Sequence, residues 1–191
     1  MAYFANVFRI SFDTLAGIGG SKNASLLREL REAFPDEDEE DYDEDEEPPP
    51  TLSEAFEAII DGTAVDDPSW HSYAAASECI YARVGTRLES NVFCPSHPDF
   101  VQAVTQALES AGLGDRVPIL SPRASPLWPE LTLDFPVLSH MTPAEVSRAR
   151  GAIESGDWTT STKSVQDALA TLARWINEAS SRGEGLVCSY S

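Results

Sequence analysis

The chain has 191 residues, 42% of them hydrophobic, and 32 acidic against 13 basic residues give it a formal charge of -19. Length and hydrophobic content predict one globular domain over 1–191. Sparse, scattered Lys and Arg argue against nucleic acid and against anionic membrane surfaces, and no stretch approaches the roughly 18 to 20 apolar residues of a membrane-spanning helix.

The chain opens on an alternation, with Phe4, Asn6, Phe8, Ile10 and Phe12 against Tyr3, Ala5, Val7, Arg9 and Ser11. This predicts a strand with one strongly apolar face. Arg9 is the single basic residue there and no uninterrupted apolar run follows, so no secretory leader is expected. Gly17, Gly19 and Gly20 lack the G-x-G-x-x-G spacing and no P-loop lysine follows in register, so they read as a turn and not a phosphate cradle. Leu26, Leu27, Leu30 and Phe34 recur at helical spacing until Pro35 stops the helix.

Eleven of the twelve residues over 36–47 are acidic, namely Asp36, Glu37, Asp38, Glu39, Glu40, Asp41, Asp43, Glu44, Asp45, Glu46 and Glu47, with Tyr42 as the exception. Without them the remainder carries 21 acidic and 13 basic residues, or -8. Like charges repel one another and offer no apolar surface to bury, so the stretch predicts a disordered acidic loop. Pro48, Pro49 and Pro50 hold the backbone extended and complete an acidic, proline-rich insertion over 36–50.

Thr51 and Glu54 form a capping-box signature for a helix with a Leu52, Ala55, Phe56, Ile59, Ile60 stripe, and Asp61 with Gly62 predicts its end. Trp70, Tyr73, Ala74, Ser77, Ile80, Tyr81, Val84 and Leu88 keep helical period, predicting a long helix through Leu88. Ser96 and Asp99 suggest another capping box, before Phe100, Val101, Val104, Leu108 and Ala111, with Gly112 as the stop. Five prolines over 117–138 predict an ordered loop, with a short edge strand over 131–135. Thr142, Pro143 and Glu145 supply N-cap, first-turn proline and N3 acid for the next helix. A last helix runs from Val165 through Ala168, Leu169, Leu172, Ala173, Ile176 and Ala179 to a stop at Gly183, before a terminal strand over 186–190. A strand cannot stand alone, so the N- and C-terminal strands should share a sheet. The expected fold class is α+β, with about six helices packed on that small sheet and the acidic insertion outside it.

The order from Phe135, Phe-Pro-x-Leu-Ser-His-Met-Thr-Pro-x-Glu-Val, then an amphipathic helix, Gly183, and a final Gly-Leu-Val-Cys-Ser-Tyr, together with the aromatic-rich first strand, resembles the uncharacterised bacterial YfbM-like domains. The resemblance covers about the last sixty residues and the first dozen. It implies a bacterial, cytoplasmic, compact α+β domain and transfers no site residues, because that family has no assigned activity.

Candidate chemistry is thin. Cys94 and His97 have the C-x-x-H spacing of half a zinc site, and Cys79 or Cys188 with His71 or His140 would have to complete it. A structural zinc site shows two close ligand pairs, so a turn with a solvent-facing His97 is expected instead, with no metal and no cofactor. Three widely spaced cysteines fit a reducing, cytoplasmic compartment better than a disulfide framework. The acidic run lacks the glycine and alternating ligands of an EF-hand, which leaves weak cation binding at most. The leading functional expectation is a non-enzymatic interaction module, immunity-like or regulatory, whose acidic run engages a basic protein. The alternative is an enzyme with a cleft near the proline-rich stretch, using His71 and His140 as acid and base, with Trp70 or Trp128 as a wall.

Overall fold

The computed structural model describes residues 5–36, 49–63, 70–93, 97–121, 123–127, 137–154 and 162–190. Among these lie β1 (Ala5–Ile10), α1 (Phe12–Ala16), α2 (Ala24–Ala33), α3 (Leu52–Asp61), α4 (Trp70–Val84) and β2 (Thr86–Leu88). They are followed by α5 (Pro98–Ser110), β3 (Val137–Met141), α6 (Pro143–Glu154), α7 (Lys163–Arg182) and β4 (Gly185–Tyr190). Short 3-10 turns occupy Asn91–Phe93, Gly114–Arg116 and Pro118–Leu120.

The four strands form one antiparallel sheet in the order β2-β1-β4-β3, which seats the N- and C-terminal strands side by side at its centre. Val7 pairs with Leu88 on one side and with Cys188 on the other, and Cys188 pairs in turn with Ser139. Because side chains alternate across a strand, these registers sort the sheet into two faces. Ala5, Val7, Leu88, Met141, Leu186 and Cys188 pack into one core with α5, α6 and α7. Phe8, Ile10 and Val187 pack into the other, with α1 to α4 and Leu127. The expected α+β fold is observed, with helices on both faces of the sheet where the strand pattern had suggested one apolar face.

Local signals placed most helices. In α3 the Thr51 hydroxyl accepts from the Glu54 N–H at 3.2 Å while Glu54 accepts from the Thr51 N–H at 2.9 Å, and Gly62 closes the helix with φ +70°. Thr142 and Glu145 make the same reciprocal pair at the start of α6. The long α7 ends at Gly183, φ 68°.

Four expectations are corrected. The α4 helix stops at Val84 and Leu88 belongs to β2, because Gly85 lies where a Cβ would meet the carbonyl oxygens of Tyr81 and Arg9 at 2.8 and 3.0 Å. The strand beside β4 is Val137–Met141, which carries His140 and begins inside the stretch expected as a loop, while 131–135 lies outside the described residues. The N-cap of α5 is His97, whose Nδ1 accepts from the Asp99 N–H at 3.3 Å; Ser96 lies outside the described residues. The unexpected α1 is a one-turn helix capped by the Ser11 hydroxyl. No helix among the described residues is long and apolar enough to cross a membrane.

Candidate functional site

The acidic stretch is rooted between α2 and α3. Phe34 follows α2 and its ring packs against Phe56 of α3 at a centroid distance of 6.4 Å. Asp36 Oδ1 accepts from the Ser53 N–H at 2.8 Å, satisfying an otherwise open donor in the first turn of α3. Arg31 ties the same turn down, donating from Nε to the Ser53 hydroxyl at 2.5 Å and pairing with Glu57 at 2.6 Å. The chain therefore leaves and re-enters the fold at one place. Of the eleven acidic residues, Asp36 is committed to capping α3, and the other ten lie outside the described residues.

The charge around this root is largely balanced. Glu29 pairs with Arg83, Glu32 with Arg28, Glu57 with Arg31, and Glu54 closes the capping box. Elsewhere Arg9 meets Glu184 and Glu178, Arg123 meets Glu145, Lys163 meets Asp167 and Arg174 meets Glu89. Seven of the 13 basic residues are thus held by carboxylates of the folded elements. Surface pairs of this kind add little stability.

The histidine and cysteine candidates fall on separate elements. His97 spends Nδ1 on capping α5, and Cys94 lies outside the described residues. His71 is exposed on the first turn of α4, whereas His140 is half-buried on β3. The groups around His140 come from α1, the 123–127 segment and α6: its ring lies 5.8 Å from that of Phe12, and its carbonyl accepts from Arg123. Burial lowers the His140 pKa, the Arg123 guanidinium lowers it further, and Glu145 with a hydrogen bond to the Ala124 backbone opposes them. Burial raises the Glu145 carboxyl, but hydrogen bonds from Arg123 and Thr142 outweigh it and leave the group below its ordinary range. Burial, then the Glu78 carboxylate, pushes the Cys79 thiol up to about 11, which suits an inert side chain. Cys188 is buried in the sheet core on the α6 and α7 side. No group of three or more His, Cys, Asp or Glu among the described residues is arranged to hold a metal.

The glycine turn does not cradle an anion. Its N–H groups are turned into the fold: Gly17 donates to Asp13 O, Gly20 to Ile59 O at 3.1 Å and Lys22 to Ile60 O at 2.9 Å. A Cβ on Gly62 would come within 3.0 Å of Gly20 Cα, so the two glycines let this turn sit on the C-terminal end of α3.

A family model described as a domain of unknown function, DUF7691, matches residues 1–191. The chain belongs to this family. No curated protein and no solved structure matches it. The DUF7691 match spans every element, and the acidic stretch falls within the matched residues.

Sequence reasoning missed the grouping of Arg123, His140 and Glu145 in this DUF7691 domain. The sequence pattern marks Glu145 as a helix cap and His140 as a zinc or acid-base candidate beside His71, not as a partner of Arg123 and Glu145. The alternation of Val137, Ser139 and Met141 with Leu138 and His140 was the available signal for the strand that brings them together. Nothing local marks Arg123, which reaches the corner through tertiary pairing with Leu138.

Proposed function

We propose that this domain is a non-enzymatic interaction module that captures a basic protein partner through the acidic segment 37–47, as an immunity-like or regulatory protein would. One observation carries the reading: the scaffold closes at the root of the segment through Asp36, Ser53, Phe34 and Phe56, and the neighbouring cations Arg28, Arg31 and Arg83 pair with carboxylates of α2 and α3. Ten carboxylates in eleven residues attract a cationic surface over a Debye length of about 8 to 10 Å and speed encounter. Nucleic acid and anionic membranes are unsuitable partners for the same reason. A cytoplasmic, bacterial setting and kinship with the YfbM-like domains belong to the same proposal, on motifs that lie on β3, at the start of α6 and on β4.

The test compares the full chain with two variants, one lacking 37–47 and one in which its ten carboxylates become amides. Both variants should keep the far-UV circular dichroism of the parent and melt no lower than it does, and both should lose basic proteins that the parent captures at low salt and releases at high salt. Identical partners with identical salt dependence in all three would end the proposal.

A further inference from the structure

The 123–127 segment forms a strap that meets the outer edge of β3 at Leu138, on the side of the sheet that no strand covers. The Arg123 N–H donates to Leu138 O at 2.8 Å, and the Arg123 guanidinium donates to Glu145 at 2.8 Å and to the His140 carbonyl at 3.4 Å. Farther along, Ser125 shares a 2.9 Å hydrogen bond with the buried Tyr81 hydroxyl, and Leu127 is buried in the second core. The strap is thus pinned by β3, α6 and α4.

We propose that His140, with Arg123 and Glu145, forms an acid-released latch that holds this strap against β3. The imidazole lies under Phe12 and reaches the backbone of Ala124, while its Nδ1 is enclosed with no hydrogen-bond partner among the described residues. Protonating this imidazole places a charge in a partly desolvated site and a second positive charge beside Arg123, costs that the Ala124 backbone and Glu145 offset only in part. Phe12 of α1 and Val187 of β4, which pairs with His140, bring no charge. Glu145 of α6 is the opposing group, and its carboxylate is already engaged by Arg123, the Thr142 N–H and the Thr142 hydroxyl. The closed strap therefore takes the neutral imidazole and the released strap takes either form. Closure is fully favoured above the ordinary imidazole range and weakens as pH falls through it toward the lower closed-state value. Glu145 stays ionised across that window, since its carboxyl is held below the usual carboxylate range.

Amide hydrogen exchange of the intact chain tests the latch. Between about pH 7.5 and about pH 5 the protection factor of the Arg123 amide should fall by more than about threefold relative to the central Val7 amide, and H140Q should show no such step. A pH-independent ratio, or the same step in H140Q, overturns the proposal. Should H140Q fail to fold, the His140 ring resonances of the wild-type chain decide: their titration midpoint must coincide with the loss of protection, and separate midpoints overturn the latch.

Discussion

Gly185, the first residue of β4, shows how closely single side chains are fitted here. A Cβ at this position would lie 2.5 Å from the Met141 carbonyl oxygen and 2.3 Å from the Phe12 ring. The ring can shift but the strand carbonyl cannot, so Gly185→Ala should cost about 3 kcal/mol, read as a lower denaturation midpoint in urea. Cys79 offers a chemical check at the same scale. Raising a thiol from 9.0 to about 11 reduces its thiolate fraction at neutral pH roughly a hundredfold, so iodoacetamide should modify Cys79 far more slowly than it modifies glutathione, as followed by peptide mass spectrometry.

Helices and strands differ in what decides them. Thr51 and Glu54 meet within one turn, and replacing Thr51 by Ala should lower stability by about 1 kcal/mol in the same urea titration, whatever the rest of the chain does. In α7, by contrast, the fully buried Trp175 packs on Phe93 at 5.4 Å and donates from Nε1 to Glu89 O at 3.0 Å, so Trp175→Ala should cost about 3 to 5 kcal/mol. The capping box was legible because its partners are three residues apart; the Trp175 pocket was not, because Phe93 and Glu89 come from the far side of α5. The strand β2 was hidden for a related reason. Three residues are too few to show a period, and Leu88 falls at i+4 from Val84, so helical spacing absorbed it until Gly85 brought the backbone against β1.

For the whole molecule, charge and fold are separable properties. Removing 37–47 takes the formal charge from -19 to -9 without touching Asp36, Phe34 or the capping box of α3. Self-repulsion falls with it, so the melting temperature of the shortened chain should equal or exceed that of the parent at low salt, and the difference should shrink as salt is added. A large loss of stability on calorimetry would mean that the segment is built into the fold.

By itself the sequence determined the helix boundaries at Thr51, Thr142 and Gly183, the presence of strands at the two ends of the chain and the concentration of charge over 36–47, since each follows from contacts a few residues apart, from alternation or from composition. The tertiary structure alone decided that the two terminal strands pair, that both faces of the sheet are covered, that Asp36 caps the first turn of α3, and that Arg123, His140 and Glu145 share one corner. Those outcomes depend on which distant elements come to lie side by side, and a local pattern of residue types carries no record of that.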